Sequence, residues 1–135
     1  MRIDVLTLFP EMFRGPMEAS IIQRARQKGL LELRAHNLRD YAHDNYKTVD
    51  DRPFGGGPGM VLKCEPIFEA LQALKGAGTR VVLMTPAGRP FHQSVARELS
   101  SFGSLLLICG SYEGVDERVR EQWVDEELSI GDYVL

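Results

Sequence analysis

Four stretches of this chain concentrate the residue types that let a backbone approach a ligand. Three of them, Thr85-Pro86-Ala87-Gly88-Arg89-Pro90, Gly110-Ser111-Tyr112-Glu113-Gly114 and Ser129-Ile130-Gly131-Asp132-Tyr133-Val134-Leu135, each follow a run that reads as a strand. The fourth is Asp51-Arg52-Pro53-Phe54-Gly55-Gly56-Gly57-Pro58-Gly59-Met60. Glycine lets amides and carbonyls reach the edge of a flat ligand, and Pro86 sets the direction of a turn. For one stretch alone, the plainer reading is that Gly and Pro end a strand. Three at equivalent positions point to a shared crevice outside the carboxyl ends of parallel strands. The other familiar ligand chemistries are missing. No G-x-G-x-x-G lies between a strand and a helix. The glycine-rich loop is no phosphate loop, because Lys63 is followed by Cys64 rather than by a hydroxyl. Cys64, Cys109, His36, His43 and His92 have no metal-ligand spacing, so no metal is expected. His43 falls in an irregular stretch, where a solvated ring is the plainer reading beside a contact with RNA.

The elements that would position these stretches follow from periodicity. Ile3 to Phe9 reads as a strand, and Pro10 suits the first position of a short helical turn. Met17 to Lys28 has a helical stripe of Met17, Ile21, Ile22 and Ala25, closed by Gly29 as a C-cap. Leu31, Leu33 and Ala35 alternate with polar residues, as in a half-buried strand. Periodicity fails from Asn37 to Met60, a length that marks a functional or disordered connection. A helix is expected from Glu65-Pro66 to about Gly76, a strand over Arg80–Thr85, a helix over His92–Ser101 and a strand over Leu105–Cys109. Phe91, Val95 and Leu99, spaced by four, are the expected apolar stripe of the second of these helices. Val115 to Gln122 reads as a short helix, and Glu127 to Leu135 as a last strand or loop. Strands apolar at every position, separated by a helix, belong to a parallel sheet covered on two faces. The expected class is α/β, a mainly parallel sheet flanked by helices, in one domain without repeat or linker.

Composition narrows the class without naming a partner. The 135 residues are 44% hydrophobic and 26% charged, ordinary for a globular chain with a modest core. No apolar run approaches the roughly 20 residues of a membrane helix, and Asp4 and Pro10 spoil a signal peptide, so a cytoplasmic location without membrane is expected. Net charge is −3, but residues 1–63 carry 10 Lys/Arg against 8 Asp/Glu and residues 64–135 carry 6 against 11. A local basic patch for nucleic acid is therefore neither shown nor excluded. Cys109 ends an apolar run and reads as a small buried hydrophobe.

Taken together, Asp51 to Met60, Gly110-Ser111-Tyr112-Glu113-Gly114-Val115-Asp116-Glu117-Arg118 and Ser129 to Leu135 closely resemble motifs of the bacterial tRNA (guanine-N1)-methyltransferases. The opening Met1 to Pro10 matches as well, and the resemblance runs in order along the chain. That family belongs to the SPOUT superfamily. The resemblance implies a C-terminal trefoil knot, incomplete in this chain, which periodicity alone does not indicate. It implies S-adenosylmethionine as methyl donor, held by Leu83, Thr85 and Pro86, by Gly110 and Tyr112, and by Ile130, Gly131, Asp132, Tyr133, Val134 and Leu135. It implies a tRNA substrate, methylated at N1 of the guanine next to the anticodon. The tRNA side would be formed by Gly55, Gly56, Gly57, Pro58, Gly59 and Met60, with Glu113, Asp116 and Arg118.

Two of these residues also have plainer readings. Glu113 could be a solvated turn acid, and Arg118 could pair with a neighbouring acid, a surface pair worth about 0–1 kcal/mol. Members of the family are homodimers with an active site shared between subunits. They continue beyond the position of Leu135 with a general base and a helical tRNA-binding domain. Neither Asp116 nor Asp132 matches that base. The chain is accordingly expected to be a truncated donor-binding domain, lacking the C-terminal domain, with no catalytic residue of its own and inactive at this length. The alternative is a non-catalytic RNA- or cofactor-binding SPOUT module. A third, a SPOUT enzyme acting on ribose or rRNA, fits the Gly-Gly-Gly-Pro-Gly-Met loop less well.

Overall fold

The computed structural model describes residues 1–42, 50–51, 61–62, 64–110, 114–115 and 117–131. Strand β1 (Arg2–Thr7) leads through a 3-10 turn (Pro10–Phe13) and a helical turn, α1 (Arg14–Met17), into helix α2 (Ser20–Gln27) and strand β2 (Glu32–Asn37). A second 3-10 turn (Leu38–Tyr41) and the two-residue strands β3 (Asp50–Asp51) and β4 (Val61–Leu62) precede helix α3 (Cys64–Leu74). Strand β5 (Thr79–Pro90), helix α4 (Gln93–Ser100) and strand β6 (Ser104–Cys109) form a parallel strand-helix-strand unit. The chain continues with β7 (Gly114–Val115), α5 (Glu117–Gln122) and β8 (Glu126–Ser129).

The main sheet has the order β2-β1-β6-β5-β8, and every neighbouring pair is parallel. Its central strands are apolar at successive positions because both faces are covered. On one face, Leu6, Val81, Leu83, Leu106 and Ile108 pack beneath α3 and α5, with Ile67, Leu71 and Val119 fully buried. The rings of Phe68 and Trp123 meet there with centroids 6.1 Å apart. On the other face, Val82, Leu105 and Leu128 pack against Val95 and Leu99 of α4.

Several expected elements shift. The helix expected over Met17–Lys28 is broken: Met17 ends α1, and α2 begins at Ser20, whose φ of +55° interrupts the helical path. The expected stripe is split accordingly. Met17 is buried, whereas Ile21 is 76% exposed and α2 buries no residue. Its end is as expected. Gly29, at φ +73°, donates to Arg26 O at 3.1 Å and Leu30 donates to Ala25 O at 2.9 Å, the pair of bonds that a left-handed C-cap residue makes. Phe91 is 46% exposed and leaves the α4 stripe to Val95 and Leu99, because its amide is committed to Ser129 O at the sheet edge. The helix expected from Val115 begins at Glu117, because Gly114 and Val115 are taken by pairing with β4. Within the stretch read as irregular, Leu38–Tyr41 forms a turn capped by the Asn37 side chain, which accepts from Arg39 N at 3.0 Å.

Candidate functional site

Strands β5, β6 and β8 are parallel neighbours, and their carboxyl ends sit side by side. Met84 of β5 is in register with Cys109 of β6 and with Leu128 of β8. The residues that follow, Thr85 and Pro86, then Gly110, then Ile130 and Gly131, therefore leave the sheet at one edge. Thr85 and Pro86 are half-buried, Gly110 is buried, and Ile130 is 53% exposed. Leu83 is 3% exposed and belongs to the core beneath this edge. Tyr112, Glu113, Asp116 and Asp132 to Leu135 lie outside the described residues, as do Gly55 to Met60 and His43. Arg118 lies exposed on α5.

The first of the three loops is not the plain turn that its Pro and Gly suggest. After Met84 the β5 backbone leaves the ladder, and it rejoins at Arg89, which pairs with the same Leu128 that Met84 faces. Pro90 then pairs with Ser129, and Phe91 N donates to Ser129 O at 2.9 Å. Thr85 to Gly88 thus form a bulge held at both ends. Gly88 is required where the bulge returns, because a Cβ there would lie 2.6 Å from Glu127 C and Leu128 N. Arg89 forms ion pairs with Glu126 of β8 and, at 3.2 Å, with Glu98 of α4. These carboxylates, Glu126 foremost, raise the guanidinium pKa above its ordinary value. The clasp was not foreseen from the sequence; the signal was an acid on β8 two residues before Leu128, the residue that Arg89 faces.

The third loop begins with a local pair of bonds. Ser129 Oγ donates to Gly131 O at 2.8 Å and accepts from Gly131 N at 3.2 Å, which shapes the turn at Ile130. Cys109 precedes Gly110 on a partly buried strand end, and burial pushes its thiol up to about 11. Near neutral pH it is therefore almost wholly the unreactive thiol. The second, smaller sheet, of order β3-β4-β7, adds a link that periodicity could not show. Asp50–Asp51 pairs antiparallel with Val61–Leu62, closing the base of the glycine-rich stretch, and Val61–Leu62 pairs parallel with Gly114–Val115. The base of the fourth stretch is thereby tied to the end of the second.

A separate open cleft of about 650 Å³ lies at the opposite, amino edge, lined by Arg2, Arg26, Glu32 and Arg34. Its guanidinium groups are engaged: Arg2 with Asp4, Arg34 with Glu32, and Arg26 with Met17 O. Gly88 and Gly110 lie instead at the carboxyl edge, beside the ends of β5, β6 and β8.

Residues 1–135 match the family model described as tRNA (Guanine-1)-methyltransferase TrmD. The chain belongs to this family. Among curated relatives, the tRNA (guanine-N(1)-)-methyltransferase of Heliobacterium modesticaldum is 58% identical over 142 residues, covering 100% of this chain and 53% of the relative. Those of Chloroflexus aggregans and Dictyoglomus turgidum are 56% and 54% identical, again over 100% of this chain and 54% and 55% of their own lengths. The chain thus spans about half the length of the curated relatives it matches. Of the motif residues that the structure describes, Gly110 and Ser129 to Gly131 lie at the carboxyl edge of the parallel sheet. Among the described residues, no helix is long and apolar enough to cross a membrane.

Proposed function

We propose that this chain is the donor-binding domain, residues 1–135, of an enzyme that methylates N1 of the guanine next to the anticodon of tRNA. The observation that carries this reading is the family match along all 135 residues, with relatives named tRNA (guanine-N(1)-)-methyltransferase. The edge geometry supports it. Three adjacent loops combine buried Gly110, half-buried Thr85 and Pro86, and the exposed apolar side chain of Ile130. Such an edge suits an adenosine, which offers a flat apolar face and a rim of donors and acceptors. Bound there, S-adenosylmethionine supplies a methyl group on a sulfonium for in-line transfer.

The chain's own residues then divide the work. Leu83 forms the apolar floor. Thr85, Pro86, Gly110, Tyr112 and the segment Ile130 to Leu135 hold the donor largely through backbone groups. Glu113 accepts from guanine N1–H and the exocyclic amine. Gly55 to Met60 let the tRNA backbone come close, and Asp116 and Arg118 flank it. The N1 proton must leave as the methyl arrives, and neither Asp116 nor Asp132 is assigned that task. A trefoil knot around the donor, a homodimer and a cytoplasmic location complete the reading. Met12, 72% exposed, and Ile21, 76% exposed, are consistent with a surface that a second subunit covers.

Calorimetry with S-adenosylmethionine, on this chain and on a form extended at its C-terminus, tests the donor site. Mass mapping of tRNA incubated with the extended form tests the reaction. Donor binding and a methyl group on N1 of that guanine are expected. No binding by the extended form would sink the donor reading, and binding without methylation would leave a non-catalytic module.

A further inference from the structure

The bulge at Thr85 to Gly88 is an unusual way to end one strand and begin a loop. Leaving a parallel ladder for four residues and returning opposite the same partner residue forfeits backbone pairing along the excursion. Bulges of this kind serve to re-aim residues beside a site, and they need an outside constraint to keep one shape. The constraints here are specific. Gly88 lies flush on the backbone of Glu127 and Leu128. One residue on, Arg89 turns back along β8 to Glu126, whose side chain is only 9% exposed. Glu126 also receives Arg80 at 3.4 Å, and the Arg80 guanidinium lies 5.4 Å from the centre of the Phe102 ring. A nearly buried carboxylate needs its partners, so Arg89 is held by the requirement of Glu126 and not only by a surface attraction. A second tie runs from Arg89 to Glu98 of α4, which keeps the guanidinium between the strand and the helix.

We infer that the Arg89–Glu126 ion pair is a positioning element of the donor site, holding the bulge that carries Thr85 and Pro86 in its binding shape before any ligand arrives. This rests on the donor-site reading above. The pair stands behind the site and touches none of the reacting atoms. Its loss lets the bulge sample other shapes, so the donor must bind the competent fraction only. Ground-state and transition-state affinity then fall together, which raises KM for the donor and leaves kcat unchanged.

The test is calorimetry and steady-state kinetics on the full-length polypeptide, with Arg89→Gln, Glu126→Gln and Arg89→Lys. Arg89 is 47% exposed, so Arg89→Gln is expected to fold, with its urea midpoint as the check. Arg89→Gln and Glu126→Gln should weaken S-adenosylmethionine about tenfold and raise its KM in parallel, with kcat and the tRNA KM within about twofold. Arg89→Lys, which keeps a cation within reach of Glu126, should recover most of the affinity. Donor affinity in folded Arg89→Gln within about twofold of the parent would overturn the inference alone. A parent protein that binds no donor would overturn the donor reading, and this inference with it.

Discussion

Two residues show how burial and pairing set chemistry one side chain at a time. Cys109 stands beside the proposed ligand edge, where a reactive thiol would be a liability. Burial raises its pKa from 9.0 to about 11. At pH 8 its thiolate fraction is then about 100-fold below that of the unfolded chain, so iodoacetamide should label it at least that much more slowly in the native protein. Comparable labelling with and without urea would contradict this. The sign for stability follows from the same shift. Between about pH 9 and 11 the unfolded thiol ionises and the folded one does not, so this residue's contribution falls as pH rises through that window. Asp4 is a carboxylate 1% exposed inside the sheet, held by its partners. Its oxygens are 2.8 Å from Arg2 Nε and 2.7 Å from His36 Nε2, joining β1 to the edge strand β2. Asp4→Ala removes the acceptor of both, and a loss of about 1–3 kcal/mol in urea denaturation is expected. In the sequence Asp4 was only an early acid in a strand, because its partner in β2 is 32 residues away.

Elements differ in how much they owe to covering. Helix α3 places Ile67, Ala70 and Leu71 against the sheet with no exposure, and Leu71→Ala should cost about 2–5 kcal/mol. Helix α2 has an equally clear apolar pattern, yet Ile21 is 76% exposed, so Ile21→Ser should change the stability of the monomer, measured at high dilution, by less than about 0.5 kcal/mol. Periodicity reports that a face is apolar and is silent on whether anything lies over it. The β5 bulge yields the sharpest test at this scale. Gly88→Ala drives a methyl into the Glu127–Leu128 backbone, and a loss of about 1–3 kcal/mol is expected from thermal or urea unfolding. A neutral Gly88→Ala would mean that the bulge does not lie against β8. The sequence marked Gly88 as a turn residue, since Pro86 and Gly88 fit a turn as well as a bulge.

Across the whole molecule, the central strands are shared by two cores, one under α3 and α5 and one under α4. The candidate site lies where three of those strands end, so the packed sheet itself forms its floor. A ligand that binds only this folded edge must stabilise the whole chain by mass action. At a hundredfold excess over Kd, S-adenosylmethionine should add about 2.7 kcal/mol, visible as a rise in Tm. An unchanged Tm at saturating donor would count against the site at the carboxyl edge.

The amino-acid order alone determined that the chain is α/β with parallel strands, because burial on two faces demands apolar residues at every strand position. It also carried the family, because the glycine- and proline-rich motifs are long and in order. Strand neighbours were beyond it. That β6 lies between β1 and β5, that β8 runs along the far side of β5, and that β4 pairs with β7 are long-range hydrogen-bonding choices. Local periodicity shows only which faces are apolar. The tertiary structure decided that the three loops share one edge, and that the first is a bulge latched by Gly88, Arg89 and Glu126. A latch between residues 37 positions apart becomes legible only once the pairing of β5 with β8 is known, because neither local pattern shows which residues face each other.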